Sequence, residues 1–294
     1  MAIFSIIICL AGERFLSIFE NYRSFKWFRR LEQRVKQKSQ TTGYLNGIIG
    51  VLLLVLAVAI LIDIVYSLLS IWSGLLGFLF STFILFYCLG PKALYEPVKR
   101  YYDAIKTGDE ASADWYAENL LGEKLPPEES NPSKTVAEGV FVAALDRIFA
   151  VIFWFVLLGP LGAVIYRLTS QLKHHTQTQP KEGEITATKF DDSAISLHHL
   201  LAWLPSRLLA FAFAFVGNIS EGIKRIKINT QVSNGYWQDS NDSYLVSAAS
   251  DTLIAKQIET GSETDNPITT NNALALLRKS TLIWLGIIAV MSIW

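Results

Sequence analysis

Between Tyr44 and Pro91 the chain runs for 48 residues with a single charge, Asp63. A membrane span needs about 20 apolar residues, each rising about 1.5 Å, to cross a hydrocarbon core of roughly 30 Å. The stretch therefore predicts two spans back to back. Their turn is expected near Ser67–Gly74, where Ser67, Ser70, Ser73 and Gly74 interrupt the branched aliphatics. A soluble core has no easy place for a run of this length. Charged residues make up 18% of the 294, below the roughly 25% usual in soluble domains. The 26 basic and 26 acidic residues cancel, so no net field favours nucleic acid as a partner.

Ile148–Tyr166 is a third uncharged stretch, bracketed by Arg147 and Arg167, and Thr281–Trp294 a fourth that starts in a helical run at Ala273–Leu277. The Trp residues of the last stretch suit interfacial anchoring. Two segments are ambiguous. Met1–Gly12 is apolar but short; it lacks the basic start and small-residue site of a cleaved signal, so it reads as retained. Leu197–Ser220 is long enough to cross but holds Pro205 and Arg207 near its middle, which leaves it crossing with a shielded arginine or lying at the interface. The expected fold is an all-α polytopic membrane bundle with four spans and one or two uncertain or re-entrant apolar helices. Its segments are an N-terminal apolar helix with a basic stretch (1–43), a hairpin (44–91), a cytoplasmic helical loop (92–140), a third span with a Pro-x-Arg helix (141–220), a polar loop (221–277) and a C-terminal span (278–294).

Eight Lys/Arg lie between Arg14 and Lys38, against Glu20 and Glu32. Such a block beside a span belongs in the cytoplasm, and its interleaved aromatics fit a basic amphipathic helix on the inner leaflet. The loop after the hairpin reads as two helices, Lys92–Lys106 and Asp109–Leu121, separated at Gly108. Asn229–Asn272 is rich in Ser, Thr, Asn and Asp and reads as a partly ordered loop. Cys9 and Cys88 sit in apolar stretches as small buried hydrophobes.

No phosphate-binding glycine loop or Gly-x-Ser-x-Gly elbow is present. The histidines form two adjacent pairs, His174-His175 and His198-His199. Helix neighbours point about 100° apart, so a shared tetrahedral metal is not expected and both pairs are placed at the interface. No metal, cofactor or catalytic residue is assigned at this level. Charge at membrane depth is more informative. Glu13 and Arg14 follow the first apolar run, Glu138, Asp146 and Arg147 lead into the third span, and Arg207 interrupts another. Each needs a partner or a wet cavity. Two readings stand: a structural ion-pair network, and a polar cavity whose arginines accept an anion.

Two blocks carry a family likeness. One runs Asp146-Arg-Ile-Phe-Ala-Val-Ile-Phe-Trp-Phe-Val-Leu-Leu-Gly-Pro-Leu-Gly-Ala-Val-Ile-Tyr-Arg167; the other is Leu200-Leu-Ala-Trp-Leu-Pro205-Ser-Arg207-Leu. Their order and spacing resemble the AmpE family of bacterial inner-membrane proteins, modulators associated with β-lactamase induction. More distantly they resemble adenosylcobinamide-phosphate synthase of the cobalamin pathway. Against the synthase pattern this chain keeps Asp146, Tyr166, Arg167, Pro205 and Arg207. It has Val142 and Ala143 in place of a Glu-Asn pair, Ser170 and Lys173 in place of Asn and Asp, and His198-His199 in place of an acidic pair. An ATP-dependent amide ligase needs carboxylates to hold metal and triphosphate, so their loss predicts a non-catalytic relative.

The resemblance thus implies a regulatory inner-membrane protein that modulates β-lactamase induction or the response to cell-wall damage. Its ligand site is expected on Glu13, Arg14, Glu138, Asp146, Arg147, Tyr166, Arg167, Trp203, Pro205 and Arg207. The partners expected with this role are the lipid bilayer, a soluble cell-wall-recycling amidase, and a nucleotide or muropeptide. Three rivals remain: a synthase-like ligase on the same scaffold, a transporter broken at Gly159-Pro160, and an anchor that docks a soluble enzyme on Lys92–Asp146.

Overall fold

The computed structural model describes residues 2–13, 25–41, 47–89, 95–122, 125, 131–177, 188–216, 240–260 and 268–293. Every regular element among them is helical: α1 (Ala2–Glu13), α2 (Lys26–Thr41), α3 (Ile48–Trp72), α4 (Gly74–Cys88), α5 (Tyr95–Thr107), α6 (Glu110–Leu121), α7 (Pro132–Ala144), a π-helical turn (Leu145–Phe149), α8 (Ala150–Gln177), α9 (Lys189–Val216), α10 (Ser240–Thr260) and α11 (Thr270–Ile293). Four runs are long and apolar enough to cross a membrane: Ile48–Trp72, Pro132–Thr176, Lys189–Val216 and Thr270–Ala289. The all-α polytopic bundle expected from the sequence is the observed fold. The chain forms two compact units, residues 1–93 with 150–202, and residues 94–149 with 203–294.

In the first unit, α3 and α4 pack on each other and on α8, α1 lies on α4 and α8, and α2 on α3 and α8. Only Gly50, Val51, Leu54, Val55 and Ala59 of α3 are buried, while Leu53, Ile60, Leu61, Leu68 and Ile71 are exposed. A helix satisfies its own backbone, so such an apolar outer stripe is stable facing lipid and unstable facing water. The turn between α3 and α4 is Ser73, in extended conformation, whose Oγ accepts the Leu75 N–H at 3.3 Å. Gly77 then packs against Ser70, where a Cβ would collide. At 15 residues α4 spans about 22 Å, short of the roughly 30 Å core. The second arm of the expected hairpin is therefore a short apolar helix. Its hydroxyls are turned inward: Thr82 bonds the Phe78 carbonyl at 2.8 Å and meets Ser5 of α1 at 2.8 Å, while Cys9 donates to the Thr82 carbonyl at 3.4 Å. Both cysteines are buried, as expected.

The third apolar stretch does not cross as one straight rod. Gly159 in α8 has φ 65 and ψ −151, a region essentially reserved for glycine, and Pro160 restarts the helix, a role its fixed φ suits. The chain bends so far that Gly162 backs onto the Trp154 carbonyl. In α9, Pro205 has no N–H for the Leu201 carbonyl four residues earlier. The Trp154 indole N–H donates to that carbonyl at 3.1 Å, so the proline is accommodated in an apolar helix. Trp154→Phe should lower stability by about 1–2 kcal/mol, the cost of an unpaired buried carbonyl. In Trp154→Phe/Pro205→Ala the restored backbone bond should recover most of that loss in thermal unfolding, and full loss in the double variant would refute the pairing.

In the second unit, α5 and α6 form an antiparallel pair, close to the helices expected there. The chain turns at Gly108 (φ 73), and Asp109 caps α6 by accepting the Ser112 N–H at 3.1 Å. Helix α6 packs on α7, and α7 on the π turn, α10 and α11. Helix α7 starts at Pro132 behind the cap Asn131 and is buried almost throughout, from Thr135 to Phe141. The polar stretch 229–272 differs from expectation. Its described part holds the 21-residue α10, because Leu245, Ala249, Thr252 and Leu253 fall on one helical face and are buried. Two leucines with an alanine and a threonine make that face, a stripe too sparse to stand out from the polar residues around it. Trp284 of α11, expected at an interface, is instead buried edge-on against Phe149 at 5.8 Å.

Candidate functional site

Tyr166, Ser170 and Lys173 follow the i, i+4, i+7 rule and share one face of α8. All three are buried, as are Arg167 and Thr169. The Tyr166 hydroxyl lies 3.4 Å from Nε2 of the buried His198 on α9. Contacts of α9 with α8 run in opposite sequence directions, Asp191 with Thr176, His198 with Tyr166 and Leu201 with Trp154, so the two helices are antiparallel here. The Arg167 guanidinium sits 5.4 Å over the Phe25 ring that precedes α2. Of the histidines expected at an interface, His198 is instead buried, whereas His174 is exposed and His175 and His199 are half-buried.

A connected polar cluster among the described residues of this unit was not foreseen. Glu32 of α2, only 2% exposed, accepts from Lys36 Nζ at 2.8 Å and from His175 Nδ1 at 2.7 Å. The same Lys36 ammonium meets Asp191 at 2.6 Å and lies 5.5 Å over the Phe190 ring. Asp191 also accepts from the hydroxyls of Thr176 at 3.0 Å and Thr188 at 2.6 Å. Three helices are thus tied by two carboxylates around one cation. The basic helix expected on the leaflet surface is docked through Phe25, Phe28 and Glu32 on its buried side, and presents Arg29, Arg30 and Arg34 outward. Two sequence signals point to the cluster: the Glu32/Lys36 i,i+4 pair, and the Thr188-x-x-Asp191 capping box that opens α9.

Burial alone would raise the Glu32 carboxyl, but hydrogen bonds from His175 and Lys36 outweigh it and hold the group below its ordinary 4.5. Burial likewise works against the charge on Lys36, and its bonds to Asp191 and Glu32 hold it above 10.5. A depressed carboxyl contributes stability that is present above its unfolded value and lost as pH falls through its folded value. The acid limb of thermal stability below about pH 4.5 should therefore flatten in Glu32→Gln. An unchanged limb would show that Glu32 does not contribute to it.

In the second unit, Arg207 Nη1 donates to Asn241 Oδ1 at 2.7 Å and to Ser206 Oγ at 3.0 Å. Its guanidinium lies 4.3 Å over the Tyr244 ring and 5.5 Å over Trp203. Trp203 is exposed, and Pro205 is buried. Glu138 is buried on α7 and meets Lys134 at 3.8 Å. Asp146 and Arg147 are half-buried in the π turn Leu145–Phe149, an irregularity frequent at functional sites that the sequence does not announce. Of the ten expected site residues, six (Glu138, Asp146, Arg147, Trp203, Pro205, Arg207) belong to this unit, and Tyr166 and Arg167 to the first. Glu13 is the last residue of α1, and Arg14 lies outside the described residues. Arg207 and Trp203 are brought into contact, while Arg207 takes an amide partner in Asn241 and Glu138 a lysine. No group of three or more His, Cys, Asp or Glu converges as a metal site among the described residues.

Apolar helices with lipid-facing stripes and buried charge clusters define a multi-pass helical membrane protein, and its place is the bacterial inner membrane. The chain belongs to the CobD/Cbib protein family, whose model matches residues 21–255. It is 31% identical over 98 residues to the "Cobalamin biosynthesis protein CobD" of Chromobacterium violaceum, covering 32% of this chain and 29% of that one. It is 26% identical over 158 residues to the protein of the same name from Stutzerimonas stutzeri, covering 53% and 50%. The chain thus spans half or less of the length of these curated relatives. No solved structure matches it.

These findings correct two expectations. The family shown is CobD/Cbib rather than AmpE, and its members are named for biosynthesis, which overturns the regulatory role in β-lactamase induction. The amidase partner and muropeptide ligand lose their basis with it. The non-catalytic reading falls for the same reason. It inferred lost chemistry from polar and acidic residues missing at fixed positions on α7, α8 and α9. A helix bundle can supply carboxylates from other positions, and Glu32 and Asp191 are two such groups within the first unit.

Proposed function

We propose that the protein is a membrane enzyme of cobalamin biosynthesis that joins a carboxyl group to an amine as an amide at the expense of a nucleoside triphosphate. Adenosylcobinamide-phosphate synthase, which the sequence resembles, is the model for this reading. The family match over residues 21–255 carries it. A carboxylate is a poor electrophile, so amide formation needs an activated acyl group, cations for the phosphates and a base for the amine. Arg167 and Lys173 on α8 are the cations we assign to anionic substrate groups within the first unit, and Arg207 on α9 is the one we assign within the second. Glu138, Asp146, Arg147, Trp203 and Pro205 of the second unit and Tyr166 of the first remain proposed substrate-contacting residues within their own units, and Glu13 and Arg14 remain proposals from the sequence. Nucleotide supply requires a cytoplasmic opening, consistent with the basic stretch before α3 and with segment 92–140 as a cytoplasmic subdomain.

The test is complementation of a bacterium lacking its adenosylcobinamide-phosphate synthase, on medium where growth requires cobalamin made within the cell. The chain should restore growth, and Arg207→Leu should reach the membrane at wild-type level without restoring it. Absent growth with wild-type chain present in the membrane would overturn the reading.

A further inference from the structure

We propose that α2 and α4 form a binding site for one anionic glycerophospholipid, with its acyl chains on α4 and its phosphate on Arg30 and Arg34. The proposal is independent of the amide-forming reading. Leu76, Leu79 and Phe83 are exposed on α4, and with Tyr87 they follow i, i+3, i+7, i+11 along one face. At 1.5 Å per residue that ridge is about 16 Å long, close to the depth of one leaflet, half of the roughly 30 Å core. It ends in aromatic rings: Phe83 stacks on Tyr87 at 6.5 Å, and Tyr87 meets Phe25 at 4.9 Å. The Trp27 indole N–H donates to the Tyr87 hydroxyl at 3.0 Å, while Trp27 stays 40% exposed. Tyr and Trp, each with an apolar body and a polar tip, favour the headgroup level. A second observation fixes the same level. The Phe25 ring also lies 5.4 Å from the guanidinium of Arg167, the charge that closes the uncharged stretch of α8.

From that level α2 runs in the same direction as the polar end of α8, since Phe25 meets Arg167 and Glu32 meets His175. Its cations therefore stand beyond the aromatic layer, on the side away from the acyl ridge. Trp27, Arg30 and Arg34 follow i, i+3, i+7 and share one side of α2. Both arginines are exposed. Side chains on a helix lean toward its N-terminus, so both lean back toward Trp27 and the aromatic layer. The carboxylates that α2 meets among the described residues, Glu32 and Asp191, are held by Lys36 on its buried side. Neither neutralises Arg30 or Arg34. A planar guanidinium binds phosphate oxygens two at a time. An apolar ridge, a polar aromatic edge and two cations one turn apart follow the order of chain, glycerol and phosphate in the lipid. A soluble anion would use the cations without the ridge, and a neutral lipid the ridge without the cations.

The experiment places full-length protein in phosphatidylcholine vesicles that contain a rising fraction of either phosphatidylglycerol or phosphatidylcholine brominated high on its acyl chains. Bromine quenches tryptophan at short range, and the difference between wild type and Trp27→Phe isolates the signal of Trp27. Half-maximal quenching should need about 20-fold less brominated phosphatidylglycerol than brominated phosphatidylcholine, the combined effect of two cations at the membrane surface. Arg30→Gln should reduce that advantage to about fivefold, and Arg30→Gln/Arg34→Gln should abolish it. Arg29 is exposed too, but lies about 160° around the helix from Trp27, so Arg29→Gln should change the advantage less than about twofold. Equal losses in Arg29→Gln and Arg30→Gln would mean that a basic helix attracts anionic lipid without a site, and would overturn the proposal. Equal quenching of wild type by the two lipids would overturn it as well. Inorganic phosphate in the surrounding buffer should leave the phosphatidylglycerol signal unchanged at constant ionic strength. Displacement by it would mean that the arginines hold a free anion rather than a lipid, and the acyl ridge would have no part in binding.

Discussion

Gly162→Val should leave little folded protein in detergent, the largest stability loss of any single substitution in α8. A Cβ at Gly162 would overlap the Trp154 carbonyl oxygen and stand 2.8 Å from Leu158 Cβ and 2.9 Å from the Trp154 carbonyl carbon. These are mostly backbone neighbours with no rotamer to yield. Overpacking of this kind costs about 1–3 kcal/mol for a small group and more for a branched one. Gly159→Ala should cost about 1–3 kcal/mol for a different reason: no atom lies within reach of its Cβ, but its φ of 65 penalises any side chain. Gly286→Ala in α11 has open space around it and should stay within about 0.5 kcal/mol of wild type. Thermal unfolding of the three variants ranks them, and a Gly162→Val transition at the wild-type temperature would refute the close approach.

The same bend shows what a single sequence does and does not disclose. Gly159-Pro160 is legible as a candidate break, but not as a reversal tight enough to make Gly162 indispensable, because that depends on where Trp154 returns. Helix α3 is legible because lipid imposes length and apolarity on every residue of it. Helix α4 has the same composition, and only the position of the Ser73 turn makes it too short to cross. Among the proposed substrate-contacting residues, Tyr166 stands out only by family likeness, since periodicity assigns it no role, whereas Arg167 and Arg207 are also legible as charges bordering or interrupting apolar stretches. Glu32 and Asp191 were missed because they are separated by 159 positions in sequence and look like ordinary charges in solvated stretches. Pairing through a third residue, Lys36, leaves only a short-range trace in any one segment. The same blindness produced the non-catalytic expectation, which counted acids at family positions and had no means of seeing acids arriving from another helix.

Lys36→Met tests that cluster most severely, and it should destabilise the protein by about 3–5 kcal/mol near neutral pH, the usual cost of removing one member of a buried charged group. Lys36 is the shared cation of Glu32 and Asp191, at 2.8 and 2.6 Å, with side chains 17%, 2% and 13% exposed. Without it Glu32 keeps His175 and Asp191 keeps its threonine hydroxyls, but two carboxylates then face each other with no positive charge between them. Their repulsion, rather than the lost bonds, is the larger part of the cost, and that fixes the sign of the pH dependence. Protonation relieves the repulsion, so the deficit of Lys36→Met should shrink as pH falls toward about 4.5, where wild type itself is losing the contribution of Glu32. Adding Glu32→Gln to Lys36→Met should recover part of the loss at neutral pH. A double variant as unstable as the sum of its singles would mean that the two residues do not act through each other, and the three-helix tie would have to rest on packing around Phe28 and Phe190 alone.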